Sequence, residues 1–232
     1  MEEIYRGFIQ AVYLIITGDT ELFRITALSL QVTGIALLFS TLIGVPLGSF
    51  MGLKRFFGRH LVIALLYTGM GFPPVVVGLF VYLMLSRAGP MGFLGWLFTP
   101  KAMVVAQVII SFPLVAGFTM AAVMGVDPNL RQQVLSLGAT EWQATLAILR
   151  EARVGVVVSV IAGFGSIISE VGSVMLVGGN IQGSTRVLTT AIVLETRKGN
   201  FDLAMALGIV VLSLSFVANL LMLRLQGRAF ND

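Results

Sequence analysis

The 232-residue sequence contains no cysteine and only one histidine, His60. The absence of thiols excludes disulfide bonds, thiolate nucleophiles and cysteine-based metal sites. His60 stands among basic residues at a predicted helix end, and no second histidine is available to complete a metal site or an H-E-x-x-H motif. We therefore interpret His60 as a residue at the level of the lipid headgroups and predict no metal site in this chain.

Charged residues are scarce as well. They make up 11% of the sequence, whereas 57% of the residues are hydrophobic, and a soluble domain carries about 25% charged residues. Together with a mean hydropathy of +0.96, this composition identifies an integral membrane protein. The apolar runs are continuous rather than alternating, which predicts spanning α-helices and not the strands of a barrel. The net charge of +4 is explained by basic residues that flank helices, so no nucleic-acid partner is implied.

Signatures of an enzyme are missing too. No G-x-x-x-x-G-K-[ST] run is present that would bind ATP. The acidic residues stand mostly at the ends of predicted elements, which leaves no pair of carboxylates for acid–base catalysis. The sequence therefore predicts a chain that is not an enzyme and holds no cofactor of its own.

We predict one all-α transmembrane domain over residues 1–232, with five spanning helices. The spans are predicted at about residues 25–53, 61–85, 101–125, 154–177 and 203–225. The apolar run 8–16 is too short to cross a membrane and is interpreted as an N-terminal interfacial helix. The segment 178–202 also has a short apolar core, which favours a re-entrant or surface helix.

Small residues and prolines give two of these spans a special character. Gly44, Gly48 and Gly52 follow one another at intervals of four, so they share a face on which another helix can approach closely. Pro73 and Pro74 remove two consecutive backbone donors from the second span, which predicts a break or a sharp bend near the middle of the membrane. Such a break can line a translocation path, but a structural kink explains the same residues.

The longest polar interruption, residues 127–153, has the pattern of two short helices. Asp127 is a favourable N-cap, and Gly138 predicts a left-handed stop. Thr140 and Gln143 then form a capping-box pattern that begins the second helix. The apolar stripes of the two helices are Leu130, Val134 and Leu137 in the first, and Trp142, Leu146 and Leu149 in the second. Two capped amphipathic helices suit a partner outside the membrane, although an ordinary helical loop has the same pattern.

The orientation in the membrane follows from the basic cluster Lys54, Arg55 and Arg59. Because positive residues favour the cytoplasmic side, this cluster predicts that the end of the first span is cytoplasmic. With five spans, the segment 127–153 and the C-terminus are then cytoplasmic as well, and the N-terminus lies outside.

Glu170 is the one acidic residue within a predicted span. A charge at the centre of a spanning helix costs about 2.5–3.5 kcal/mol on insertion scales, so its carboxylate should face protein or water. Glu170 is therefore either a gate or coupling residue, or a hydrogen-bond acceptor for backbone groups or serines in a tight helix interface. A carboxylate exposed to the path would repel an anionic substrate, which favours the second role.

A candidate oxyanion site follows the fourth predicted span, which ends at Gly178, Gly179 and Asn180. The further candidates in this segment are Arg186, Thr189 and Thr190. Backbone N–H groups in glycine turns, hydroxyls and an arginine can together bind an oxyanion. A helix C-cap followed by an ordinary loop gives the same pattern.

The segment 127–153 resembles the cytoplasmic loop of ABC-importer permeases that is known as the EAA loop. Its pattern is E-A-A, three residues, G, nine residues, I, one residue and L-P. Gly138 and Ile148 match it, whereas 132–134 reads Q-Q-V and 150–151 reads R-E. The stretches GFPPVVVGLFVYLMLSRAGPMG (71–92) and ISEVGSVMLVGGNIQGSTRVLTTAIVLETRKG (168–199) resemble tungstate-uptake permeases within the molybdate, tungstate and sulfate group.

This resemblance implies a homodimer in lipid, with the translocation path along its two-fold axis. Two cytoplasmic ABC ATPase subunits, which hold ATP and Mg, would dock on the two-helix loop, and an extracytoplasmic binding protein would deliver the oxyanion. The implied ATPase-coupling residues are Leu130, Val134, Leu137, Gly138, Ala139, Thr140, Trp142, Leu146 and Ile148. A permease for molybdate or another oxyanion remains open, and so does a stand-alone secondary transporter or channel.

Overall fold

The computed structural model describes residues 2–225, and within them every regular element is a helix. The helices are α1 (Glu2–Ile16), α2 (Thr20–Leu53), α3 (Arg59–Met70), α4 (Pro74–Leu85), α5 (Pro100–Met124), α6 (Pro128–Ser136), α7 (Glu141–Glu151), α8 (Arg153–Ile168), α9 (Gly172–Gly178), α10 (Leu188–Arg197) and α11 (Phe201–Leu225). A 3₁₀ turn, Gly92–Leu94, interrupts the connection between α4 and α5. The predicted all-α class is confirmed.

Three helices, α2, α5 and α11, are long and apolar enough to cross a membrane. Two bent pairs, α3 with α4 and α7 with α8, raise the number of candidate spans in the described residues to as many as five. Helices α5 and α11 lie within two residues of the predicted bounds. Helix α2 begins five residues before the predicted start, because the Asp19 side chain caps it by accepting a hydrogen bond from Leu22 N at 2.7 Å.

Helices α2 and α5 form the centre of the fold. They cross closely along the predicted glycine face: a Cβ on Gly48 would lie 2.3 Å from Ala116 O, and a Cβ on Gly52 would lie 2.8 Å from a methyl of Val123. Only a residue without a side chain fits there, so the predicted close approach is confirmed. A hydrogen bond of 2.6 Å between Ser40 Oγ and Ser111 Oγ adds a polar contact inside the interface.

The second predicted span is not one continuous helix. Helix α3 ends at Met70, α4 begins at Pro74, and the two axes differ by 100°. Pro73 and Pro74 lack the N–H groups that would continue α3, which explains the break. The predicted break is confirmed.

The prediction of one continuous helix for the fourth span, 154–177, is wrong. Helix α8 ends at Ile168, residues 169–171 leave the helix, and α9 restarts at Gly172. No proline causes this interruption. The free backbone groups at the break are bonded by side chains from other parts of the chain, as described below, and these contacts stabilise the non-helical segment.

The two short apolar segments pack against α11. In α1, Gly7 is buried at a point where an added Cβ would lie 2.4 Å from Met205 Cβ. In α10, Leu188 and Ala191 are buried in a cluster with residues of α2 and α11. Helix α10 is therefore part of the interior and not a surface helix, since its apolar face is covered by two neighbouring helices. The interfacial position of α1 stays a prediction.

Candidate functional site

The segment 127–153 folds into two short helices, as its capping residues predict. Asp127 accepts a hydrogen bond from Asn129 N at 2.9 Å and so caps α6. Gly138 has φ = +87° and ends that helix. Its amide donates to Leu135 O, and the next amide donates to the carbonyl of Val134 at 3.3 Å. These two bonds form a Schellman motif, in which glycine is favoured because of its positive φ.

The turn between α6 and α7 is held by side chains on both sides. Thr140 and Gln143 form the predicted capping box: Thr140 N donates to Gln143 Oε1 at 2.8 Å, and Gln143 N donates to Thr140 Oγ1 at 3.3 Å. An ion pair of 2.6 Å between Arg131 and Glu141 joins the two helices. Because both partners are exposed, the pair contributes mainly to geometry and little to stability.

The two faces of this loop have different environments. Ile148 is buried against Val123 and Ala152, so it anchors the loop to the ends of α5 and α8. In contrast, Leu137 is 87% exposed and Trp142 is 73% exposed. The other candidate coupling residues lie between these extremes or are small and polar. Leu130, Val134 and Ala139 are half-buried, Leu146 is 37% exposed, and Gly138 and Thr140 are exposed.

Glu170 lies in the break between α8 and α9 and is buried. Its Oε1 accepts a hydrogen bond from Ser173 N at 2.8 Å, which caps the start of α9. Thr189 Oγ1 donates to the Glu170 carbonyl at 2.9 Å, and Gln107 Nε2 donates to Ile167 O at 3.2 Å. This arrangement corresponds to the hydrogen-bond acceptor role considered for Glu170. Sequence analysis missed Gln107, whose signal is a lone amide in a long apolar run.

The two helix breaks lie next to each other. A Cβ on Gly78 would lie 2.6 Å from Ser173 Cα, and a Cβ on Gly172 would lie 2.7 Å from a methyl of Val75. Helix α4, which starts at Pro74 after Pro73, therefore runs beside α9, which starts just after Glu170. The structure thus brings two of the candidate path features together although they are about a hundred residues apart.

The glycine turn after α9 is bonded internally. Gly179 and Asn180 both have positive φ, at +73° and +51°. The carbonyl of Gly178 accepts a hydrogen bond from Thr185 Oγ1 at 2.5 Å. Thr190 Oγ1 accepts from Val187 N at 3.1 Å and so caps α10. These groups form a helix C-cap and an ordered loop, the alternative considered for the oxyanion pattern.

Arg186 is directed elsewhere, toward a cavity of about 510 Å³ at the start of α2. Its Nη1 lies 3.4 Å from Glu21 Oε1, and Gln182 Nε2 donates to the same oxygen at 2.9 Å. Arg24 lines the cavity as well and donates to the carbonyl of Gly183. Sequence analysis missed Glu21 and Arg24; their signal is a pair of opposite charges three residues apart in the first turns of a capped helix.

The described residues hold no group of three or more His, Asp or Glu side chains that could bind a metal ion. The clearest electrostatic perturbation belongs to Glu195 near the end of α10. Hydrogen bonds from Asn200 at 2.7 Å and Lys198 at 2.8 Å hold the pKa of its carboxyl below the ordinary glutamate value. This cluster closes the turn into α11, and the positive charge of Arg186 lowers the pKa of Glu195 further.

Comparison with known proteins gives concordant results. Residues 44–231 match the model of the family described as binding-protein-dependent transport system inner membrane component. A probable anion ABC transporter permease protein of Haloferax volcanii is 44% identical over 214 residues, which cover 90% of this chain and 92% of that protein. The tungstate uptake system permease protein TupB of Peptoclostridium acidaminophilum is 39% identical over 226 residues, with 97% and 99% coverage.

Among solved structures, the fold is similar to a chain of a bacterial alginate ABC transporter in complex with an alginate pentasaccharide-bound periplasmic protein. The TM-score is 0.75 at 23% identity, and the match covers 98% of this chain and 87% of that chain. At this level of identity the likeness supports the fold alone.

Proposed function

This chain belongs to the family of binding-protein-dependent transport system inner membrane components, and we propose that it is the permease subunit of an ATP-driven ABC importer for tungstate. The single observation that supports tungstate as the substrate is the similarity to the tungstate permease of Peptoclostridium acidaminophilum, which extends over 97% of this chain. The similarity to a probable anion permease at 44% identity supports the same class of substrate.

The proposed ATPase dock is the exposed face of α6 and α7. Leu137 and Trp142 are large apolar side chains that extend from a polar loop into solvent, which is the pattern of a hot spot awaiting a pocket on a partner. The opposite face is fixed to the transmembrane helices through Ile148 and Ala152. A displacement of the loop by the ATPase would therefore be transmitted to α5 and α8 as a movement of packed helices.

The proposed orientation places this loop in the cytoplasm. The basic cluster lies at the same end of the molecule, because Arg59 Nε donates to Met51 O at 3.0 Å and its Nη2 lies 3.5 Å from Met124 Sδ at the end of α5. Since basic residues favour the cytoplasmic side, Lys54 and Arg55 support a cytoplasmic loop and an external N-terminus.

The proposed path runs beside the paired starts of α4 and α9 and is completed by a second copy of this chain. Irregular backbone at membrane depth requires protein or water around it, which supports the proposal that the breaks at Pro73 and Glu170 lie beside the path. A binding protein outside the membrane would deliver the anion, and two ATPase subunits would supply ATP and Mg from the cytoplasm.

The test is the ATPase activity of the reconstituted complex with its binding protein. Tungstate is expected to stimulate hydrolysis more than molybdate does, and both more than sulfate. Stimulation by molybdate alone would assign the chain to that oxyanion instead. The proposal would be contradicted if none of the three anions changed the rate of ATP hydrolysis although the binding protein had bound them. The alternative of a stand-alone transporter or channel has less support, because its class is not the family to which this chain belongs.

A further inference from the structure

The cavity at the start of α2 has the chemistry of an anion site, and it lies far from the proposed ATPase dock. Helix α2 has 34 residues, which corresponds to a length of about 50 Å. The cavity is lined by Glu21 and Arg24 from its first turns, whereas Leu53 at its other end packs against the cluster that anchors the two-helix loop. The cavity therefore opens at the end of the molecule opposite the dock.

We propose that this cavity is an entry site for a doubly charged tetrahedral oxyanion. Arg24 and Arg186 bind the anion, and when no anion is bound Arg186 pairs with Glu21. This inference rests on the proposed function, since it names where the transported anion first meets this chain. Of the described residues that line the cavity, two are arginines and one is an acid, so the lining carries a net positive charge. The volume of about 510 Å³ leaves room for an oxyanion together with water.

Arg186 is only loosely held by its present partner. The distance of 3.4 Å between its Nη1 and Glu21 Oε1 is about 0.5 Å longer than a usual charge-assisted hydrogen bond of about 2.7–2.9 Å. Its Nε is buried and finds no acceptor among the described residues. Glu21 meanwhile accepts a shorter bond of 2.9 Å from Gln182. An oxyanion can therefore replace the carboxylate at Arg186 while Glu21 keeps Gln182 as its partner.

Arg24 of α2 is held by the loop that carries Arg186. Its Nη2 donates to the carbonyl of Gly183, and its guanidinium has further N–H groups for a ligand. Gly183 has φ = +74°, and a Cβ at this position would lie 3.2 Å from Arg24 Nη1. Glycine thus permits both the backbone conformation and the close approach of the guanidinium, so that Arg24 lies beside the loop that carries Arg186.

The absence of cysteine makes a direct test possible, because a single introduced thiol is unique in this chain. Ser184→Cys places a reporter in the exposed wall of the cavity, and Ala88→Cys places a control in the exposed loop after α4, at the same end of the molecule. The complete importer, without nucleotide or binding protein, is labelled with an uncharged maleimide in a neutral detergent. The probe is tungstate, with chloride at matched ionic strength as the blank.

Tungstate is expected to slow labelling of Ser184→Cys at least threefold and to leave Ala88→Cys unchanged. The protection should disappear when Arg24→Gln and Arg186→Gln are added, and it should survive Arg87→Gln, which removes a positive charge from the same end outside the cavity. Glu21→Gln should strengthen the protection, because Arg186 then loses its carboxylate partner in the cavity. Thermal unfolding of each variant is measured as a control that the importer is still folded.

Three results would overturn the assignment: no protection by tungstate, equal protection by chloride, or protection that persists without both arginines. Protection in nanodiscs of phosphatidylglycerol without tungstate would also overturn it, since the occupant would then be a lipid phosphate. None of these results touches the proposed function, which fails separately if the wild-type complex with its binding protein does not take up tungstate.

Discussion

Replacement of Trp142 by aspartate tests the proposed dock most sharply. The indole is 73% exposed and lies beside the Schellman turn that presents Leu137. A buried aromatic hot spot contributes about 2–4 kcal/mol to an interface, so Trp142→Asp should weaken ATPase binding roughly 30- to 700-fold. Folding should be unaffected, because exposed substitutions usually change stability by less than about 0.5 kcal/mol.

The assay is titration of the purified ATPase onto this chain in nanodiscs, with uptake measured in parallel. Phe93→Asp is the matched control, because Phe93 is 83% exposed in the loop before α5, at the end opposite the dock. It should bind the ATPase like the wild type. If Trp142→Asp also keeps the wild-type affinity within threefold, the assignment of this face as the dock is refuted.

Three further predictions concern the transmembrane part and its turns. Gly48→Ala should lower the free energy of unfolding by about 1–3 kcal/mol, because the added methyl group overpacks against Ala116 O. Gly34→Ala is the control, because a Cβ at this position meets nothing within 4 Å. Equal unfolding midpoints of the two variants would contradict the close crossing of α2 and α5. Glu170→Ala should destabilise by about 1–3 kcal/mol because Ser173 N loses its acceptor, and Glu170→Gln should retain both stability and uptake; loss of uptake in a stable Gln variant would instead indicate a gating charge. Because the pKa of Glu195 is lowered in the folded protein, its contribution to stability is present above the ordinary glutamate pKa and is lost as the pH falls through the folded pKa. Glu195→Gln should therefore reduce the fall of the unfolding midpoint in this acidic range, measured by thermal unfolding at a series of pH values. An unchanged pH dependence would show that other groups cause it.

Local chemistry made parts of this structure predictable. The caps at Asp127 and Thr140 and the left-handed turn at Gly138 depend on residues within a few positions of each other, so the sequence pattern predicts them directly. The break at Pro73 is predictable for the same reason, since proline removes the donor wherever the chain goes.

Long-range contacts set the remainder. The interruption after Ile168 is stabilised by Gln107, which lies 60 residues before its partner Ile167, and by Thr189, 19 residues after Glu170. Arg24 meets the carbonyl of Gly183 across 159 residues. The periodicity of apolar residues cannot predict these long-range contacts, because they form only when the helices pack together.

The helical stripes of the loop show a different limit. Spacing predicted the stripe Trp142, Leu146 and Leu149 in the second helix, whereas Ile148 was expected only from the resemblance. The structure buries Ile148 and leaves Trp142 73% exposed, because the position of α5 and α8 decides which side of the loop is covered. The proposed ATPase-coupling set therefore divides into residues that anchor the loop and residues that are exposed.

The most direct test of the central claim is tungstate uptake into proteoliposomes that contain this chain, its ATPase and its loaded binding protein. Uptake is expected only when ATP and Mg are present on the ATPase side, and it should stop when Trp142→Asp replaces the wild type. Uptake that continues without ATP or without the ATPase would contradict the account and identify a transporter of another class.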